Sequence, residues 1–385
     1  MKIAFDGQLF LKGKKAGIAW SAHNLILELA KYEENECTIQ YFSHRSAPEQ
    51  LENLKIYQEN KCNLECCKWF SYVLYRIIWL FVPVPYRFFF RTKPDITQFF
   101  NFTIPPGVSG QRIVILHDMA YKSCPYTVKL KTRLWLGLSI KKTCSRADHI
   151  ITVSEFSKQE IARYLKIPGE KITVVPNAVD HHVYHTNYTG KQIQMVKDKY
   201  GIEKDYFLYI GTIEPRKNLE RLILAYAKLQ KEKKYVPQLV LAGAKGWRCK
   251  NIYEKVQRLN LRNRILFPGY VDQEDSPLLM CGAVAFVFPS LYEGFGMPPL
   301  EAMACGTPVI VSAVTALPEV VKDAGILVDP RSVKEICTAM KELLENEAYR
   351  KELGLLGMRR AQKYTWQKSA EMLMEIYRRK IYECV

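Results

Sequence analysis

No apolar run in this 385-residue chain is long enough to cross a bilayer, which takes about 20 consecutive apolar residues. The nearest approach, residues 69–90, is broken by Arg76, Pro83, Pro85 and Arg87, so no spanning helix is expected. The chain does not open with a charged stretch, an apolar stretch and a small-residue cleavage site. Met1 leads directly into a short apolar strand pattern, and a cytoplasmic protein is expected. Zinc-ligand spacing is also missing: Cys62, Cys66 and Cys67 have no histidine close to them in sequence, so the eleven cysteines read as reduced thiols and no metal site is expected. Internal repeats, heptad runs and low-complexity tracts are absent. Acid is scarce, with 39 Asp and Glu against 56 Lys and Arg, for a net charge of +17. The deficit is local: residues 68–142 carry twelve Lys or Arg against only Asp95 and Asp118, a net +10, while the whole of 1–183 amounts to +9.

What the chain does have is material for a large core, 48% hydrophobic with 25% charged residues, at a length beyond what one core usually serves. Strand and helix patterns alternate through both halves. In the first, apolar strand patterns fall at 2–5, 96–100, 113–116 and 150–153, with a helix over about 21–32 and another opening at Ser154. In the second they fall at 206–210, 238–242, 265–267, 284–290 and 308–312, with a helix from Leu219. Such alternation predicts an α/β protein built from parallel sheets with helices on both faces. The expected divisions are a first domain at 1–183, a polar connection at 184–205, a second domain at 206–365 and a final helical segment at 366–385.

The chemistry concentrates at residues 291–310. Two carboxylates, Glu293 and Glu301, flank a Gly-x-Gly turn made by Gly294, Phe295 and Gly296, and Pro298 and Pro299 suit the first turn of a helix. A helix N-terminus after a parallel strand is a phosphate site, and Glu301, farther along the helix, is placed to accept two hydrogen bonds from a vicinal diol. A second loop, after the strand at 206–210, presents Gly211, Thr212, Arg216 and Lys217 before a helix. Two cations there can neutralise a departing diphosphate. In the first half, the strand at 113–116 delivers His117 and Asp118 to its C-terminal end, where open α/β sheets bind ligands, and Gly17 precedes the first helix.

The spacing Glu-x7-Glu with Glu-Gly-Phe-Gly, together with Pro215-Arg-Lys-Asn218, closely resembles the retaining glycosyltransferases of family 4, and the resemblance covers nearly the whole chain. It implies the GT-B architecture: two doubly wound Rossmann-like domains facing a central cleft, an acceptor-binding domain first, a nucleotide-sugar-binding domain second, and a last helix crossing back to the first. It implies that Glu293 contacts the transferred sugar, Glu301 the ribose, Lys217 and Arg216 the diphosphate, Gly17 the donor phosphates and acceptor, and His117 the sugar. Contacts to the base are expected around 243–247 and at Gly269, Tyr270 and Val271. Many members carry an arginine directly after the glycine, where this chain has Thr212. The chain also lacks an Asp-x-Asp triplet, the metal clamp of the other main glycosyltransferase class, so no cofactor is expected.

The form of the second motif resembles mannosyltransferases of bacterial surface polysaccharide. GDP-mannose is therefore the first expected donor and another GDP- or UDP-sugar the alternative, with a lipid-linked or growing glycan as acceptor. A sugar-nucleotide epimerase, a phosphorylase and a basic nucleic-acid-binding protein are the rivals. The last is disfavoured because Glu293 and Glu301 would repel a phosphate backbone, so no nucleic-acid partner is expected. The basic segment 68–142 also holds Trp69, Tyr72, Tyr75, Trp79, Phe81, Tyr86, Phe88, Phe89, Phe90 and Trp135. That mixture predicts peripheral docking on the anionic inner face of the cytoplasmic membrane.

Overall fold

A computed structural model describes residues 1–11, 17–44, 47–79 and 81–383. The chain forms two compact units: Met1–Tyr121, Leu130–Asn177 and the segment from Trp366 onward make the first, and Lys122–Lys129 with Ala178–Thr365 the second.

The first unit is built on a parallel sheet of β1 (Lys2–Asp6), β2 (Glu36–Phe42), β3 (Asn63–Cys67), β4 (Ile96–Phe99), β5 (Gln111–Ile115), β6 (His149–Thr152) and β7 (Ile172–Val174), in the order β3-β2-β1-β4-β5-β6-β7. The second has β8 (Tyr206–Ile210), β9 (Gln238–Ala242), β10 (Ile265–Leu266), β11 (Ala285–Phe288), β12 (Val309–Ser312) and β13 (Ile326–Val328), ordered β10-β9-β8-β11-β12-β13 and again parallel. Both are doubly wound α/β sheets. Strands such as β11, Ala-Phe-Val-Phe, are apolar throughout because both faces are covered and every residue is buried. Each order reverses once, between β1 and β4 in one sheet and between β8 and β11 in the other, and ligands of such sheets bind beyond the strand ends at that reversal.

The strands expected from apolar runs are present. β2 and β3 lie outside the expected set: in β2 the buried polar residues Thr38 and Gln40 interrupt the apolar run, Gln40 donating its amide to Glu65 of β3 at 3.0 Å, and in β3, Asn-Leu-Glu-Cys-Cys, only Cys67 is buried. The first helix, Gly17–Ala30, starts about a turn ahead of its expected position. The stretch 184–205, expected as a connection, contains the helix Gly190–Lys199, which belongs to the second unit and packs on the helix Ser276–Cys281. Thr189 and Gln192 cap it reciprocally, the Gln192 amide N–H reaching Thr189 Oγ1 at 3.3 Å and Gln192 Oε1 accepting the Thr189 amide at 2.9 Å. The helix Trp366–Tyr382 lies in the first unit against Gly17–Ala30, burying Leu373, Met374, Ile376 and Tyr377.

The aromatic segment of the first unit divides in two. Phe42 collects Tyr75, Phe89 and Phe90 at ring-centre distances of 5.5, 5.2 and 5.3 Å, and Tyr86 stacks against Phe90 at 4.8 Å. Tyr75, Trp79, Tyr86, Phe89 and Phe90 are thus core residues with no surface to offer, which corrects their assignment to a membrane-facing set. Trp69, Phe81 and Phe88 are exposed. The described cysteines are free thiols, and among the described residues no helix is long and apolar enough to cross a membrane.

Candidate active site

The second unit gathers its predicted residues at the β8/β11 reversal. β8 ends at Ile210, just before Gly211, the chain crosses to a short 3-10 turn at Pro215–Lys217, and Asn218 in the left-handed region at φ 60° starts the helix Leu219–Glu232. Asn218 fixes the turn, its amide donating to the carbonyls of Pro289 at 2.9 Å and Pro330 at 2.6 Å. Lys217 is buried, with its ammonium 4.6 Å from the centre of the Phe288 ring.

β11 ends one residue before Pro289, and the loop behind it brings Glu293 to the same place. Lys217 Nζ donates to Glu293 Oε1 at 2.6 Å, and Arg216 Nη1 lies 2.9 Å from the same oxygen. The Arg216 fork also holds Glu214 Oε1 at 2.9 and 3.1 Å and the Tyr292 carbonyl at 2.8 Å. Burial raises the Glu293 carboxyl, but Arg216 and then Lys217 outweigh it and hold the group down to about 2. Burial, followed by the Arg216 charge, pushes the Lys217 ammonium down, and Glu293 pulls it back. A pair of cations near a helix N-terminus opposes the helix dipole unless an anion is present, and here Glu293 and Glu214 supply it.

Gly296, at φ 121°, precedes the helix Met297–Ala304; a Cβ there would stand 2.7 Å from Leu317 Cδ2, so both backbone and space call for glycine. Glu301 lies in that helix. Burial raises its carboxyl to about 7, and a hydrogen bond from the Tyr184 hydroxyl offsets part of the rise. The two carboxylates therefore differ in state at neutral pH: Glu293 is ionised, and Glu301 is close to half protonated. Tyr184, at the edge of the expected connection, is the site residue that sequence reading missed. Nothing in its pattern marks it.

The remaining residues expected on the donor side fall on neighbouring strand ends. Gly243 after β9 donates its amide to the Gly269 carbonyl at 2.6 Å and lies so close to Gly211 that a Cβ would be 1.8 Å from the Gly211 oxygen. Tyr270 follows with an exposed side chain. The Thr212 side chain is exposed and its carbonyl accepts the Tyr209 hydroxyl at 3.0 Å. Phe295 is buried edge-on against Tyr364 at 5.8 Å, so only its backbone can meet a ligand.

In the first unit, His117 is buried at the end of β5, and its Nε2 is 2.9 Å from the Phe100 carbonyl. A carbonyl only accepts, so the proton is on Nε2 and Nδ1 carries the lone pair. Burial lowers the imidazole below its ordinary value, which keeps it neutral. Asp118 accepts the Ala120 amide at 2.8 Å and thereby caps the following turn. Gly17 begins its helix with open space where a Cβ would stand, so packing does not require glycine there. Lys14, Lys15 and Ala16 of that loop lie outside the described residues.

Residues 16–183 match the family profile described as Glycosyltransferase Family 4, and residues 192–379 that described as Glycosyl transferases group 1. The chain is 35% identical over 280 residues to O-antigen chain mannosyltransferase B of Escherichia coli, covering 72% of each chain. It belongs to glycosyltransferase family 4. It is also 34% identical over 236 residues to the serotype-specific mannosyltransferase WbdA of Escherichia coli, a longer protein of which the match spans 29% and which covers 61% of this chain. Among solved structures, sucrose-phosphate synthase of Thermosynechococcus elongatus superposes over 100% of both chains with a TM-score of 0.76 at 20% identity, a likeness of fold. The chain is thus a GT-B enzyme that transfers sugar, which sets aside the nucleic-acid-binding reading.

Proposed function

We propose that the enzyme transfers mannose from GDP-mannose, with retention of configuration, to a growing surface glycan carried on lipid. The observation that supports it best is the cluster of Arg216, Lys217 and Glu293 at the sheet reversal, where a buried carboxylate holds two cations in readiness. The sugar is inferred from the relatives, which are named as mannosyltransferases. A diphosphate entering here draws Arg216 and Lys217 toward its oxygens, while the Glu293 oxygen that receives neither cation accepts a sugar hydroxyl. Glu301 takes the ribose diol. As the bond from the anomeric carbon to the diphosphate oxygen breaks, the acceptor oxygen bonds to that carbon from the same face and its proton passes to the departing phosphate. The two cations stabilise the charge that grows there, with no metal ion required. Arg216 takes the part of the arginine that Thr212 replaces.

Purified enzyme offered a panel of GDP- and UDP-sugars with a lipid-linked glycan should use GDP-mannose in the presence of chelator, and NMR should show the product anomer matching the donor. A UDP-sugar preference would correct the donor, magnesium dependence the metal-free mechanism, and an inverted product the retention.

The glycan's lipid carrier calls for work at a membrane surface, and the first unit offers a face for it. The helix Leu130–Arg146 has no acidic residue, and Leu130, Leu134 and Leu138 line up exposed on one side at i, i+4, i+8. The neighbouring helix Tyr72–Ile78 exposes Val73, Leu74 and Ile77, with Phe81 beyond its end, and Arg76 bridges the two helices by stacking on Trp135 at 4.3 Å. An apolar ridge flanked by Lys131, Arg133, Lys141 and Lys142 suits an anionic bilayer surface at the inner face of the cytoplasmic membrane.

A further inference from the structure

Arg216 and Lys217 hold the side chain of Glu293 from the β8 side, and its peptide is held from the opposite side. The loop after β12, residues 313–316, lies against the Glu293 loop within the second unit. Thr315 Oγ1 accepts the Glu293 amide at 3.2 Å and donates to the Val314 carbonyl at 2.6 Å. The Ala316 amide in turn donates to the Glu293 carbonyl at 3.4 Å. Two residues beyond Thr315, Leu317 closes on Gly296, the contact that leaves no room for a Cβ there.

Thr315 makes these bonds at φ 62°, in the left-handed region. A β-branched side chain is an outlier in that region, whereas glycine enters it at no steric cost. The other described non-glycine residues with positive φ are lysine, arginine, asparagine and phenylalanine, so Thr315 is the one β-branched residue among them. Strain of this kind persists only where the surroundings over-determine the conformation, and it gathers at functional sites. Here the bond to Val314 orients the hydroxyl and leaves a lone pair for the Glu293 amide. Threonine thus supplies an acceptor that the conformationally easier glycine lacks.

That acceptor matters most when the cations are called away. Glu293 Oε1 rests on Lys217 Nζ at 2.6 Å and Arg216 Nη1 at 2.9 Å, and a diphosphate competes for both. As the two cations turn to the leaving group, the backbone is what keeps the carboxylate in place. Water can satisfy a freed amide but does not fix its position. We propose that Thr315 is a positioning residue for sugar transfer: its hydroxyl, held on a strained backbone, anchors the Glu293 peptide so that the carboxylate stays aligned with the transferred sugar while Arg216 and Lys217 serve the diphosphate. This role rests on the reading of Glu293 as the carboxylate that contacts the sugar.

The test is steady-state kinetics of Thr315→Ser, Thr315→Val and Thr315→Gly, with melting temperatures and donor titrations measured alongside. The donor is GDP-mannose, or the nucleotide sugar that the donor panel selects in its place. Thr315→Ser keeps the acceptor and should stay close to wild-type kcat. Thr315→Val keeps the shape without the acceptor, and Thr315→Gly removes both strain and acceptor. Each of these two should lower kcat by about ten-fold, the loss of one hydrogen bond expressed at the transition state, with the donor Kd close to wild type. Thr315→Gly should do so with a melting temperature at or above that of wild type, since relieved strain offsets the lost bond. A merely structural residue would not give that combination. In a Glu293→Ala background, Thr315→Val should change kcat no further, because it acts through that carboxylate. The role of Thr315 is overturned by wild-type kcat in Thr315→Val, by a loss in Thr315→Gly that only follows a fall in melting temperature, or by an undiminished Thr315→Val effect in the Glu293→Ala background. Wild-type kcat in Glu293→Ala alone would instead remove Glu293 from the reaction, and the role of Thr315 with it.

Discussion

Glu293 and Glu301 are the same residue type eight positions apart, yet their surroundings shift their carboxyls in opposite directions. Glu293 is held near 2 by two cations, so its stabilising contribution is present above the ordinary carboxylate range and is lost as pH falls through 2. Glu301, raised to about 7 by burial, does the reverse: its contribution is full below that range and is lost as pH rises through 7. A ribose diol needs the ionised form. Donor affinity should therefore weaken about five-fold from pH 7 to pH 6, following the fraction of ionised Glu301, and isothermal titration of Glu301→Gln should show a weaker but flat profile. At the cation pair, Lys217→Ala should lower kcat by roughly a hundred-fold or more, since one preorganised donor to developing charge is removed. It also strands Glu293 beside Arg216 alone. Steady-state kinetics in which Lys217→Ala changed only the donor KM would place the lysine in ground-state binding instead.

Among the elements, the helix Leu130–Arg146 leaves three leucines, Leu130, Leu134 and Leu138, exposed on its outer side. Leu134→Glu with Leu138→Glu should leave the melting temperature within a few degrees of wild type, as exposed positions are nearly neutral for folding. The same change should abolish sedimentation with vesicles containing anionic lipid, and neutral vesicles should bind wild type more weakly than anionic ones. Undiminished binding by the double variant would remove this helix from the docking face. The short turn Pro215–Lys217 works the opposite way: Asn218 fixes it with two side-chain bonds, so the cations it carries are rigid before any ligand arrives.

At the scale of the whole molecule, the last helix ties the ends of the chain to one unit. Trp366–Tyr382 packs on Gly17–Ala30, and Tyr377 sends its hydroxyl to Gln98 of β4 at 3.0 Å. Ending the chain at Thr365 would expose the Gly17–Ala30 face and strip away Leu373, Met374, Ile376 and Tyr377, at roughly 1.5–3 kcal/mol for each large apolar side chain. The first unit should then unfold or aggregate while the second still binds nucleotide. Differential scanning calorimetry would check this, and a truncated chain with both transitions intact would contradict it.

The sequence by itself made legible most strands of the two sheets and the loops that carry Arg216, Lys217 and Glu293, because those depend on local pattern: apolar runs buried on both faces and glycines at strand ends. It gave no sign of β2, whose buried Gln40 is acceptable only because Glu65 of a neighbouring strand receives it. The capped helix at Gly190–Lys199 was legible in Thr189 and Gln192, two polar residues easily taken for part of a connection. Which aromatics are core and which are surface was decided only by tertiary structure: Phe89 turns inward to Phe42 while its neighbour Phe88 turns out, a choice set by packing partners far apart in sequence. The same holds for Tyr184 on Glu301 and for Thr315 on Glu293. A hydrogen bond between distant residues leaves no period in the chain, so burial and charge acquire their meaning only once the fold has chosen the neighbours.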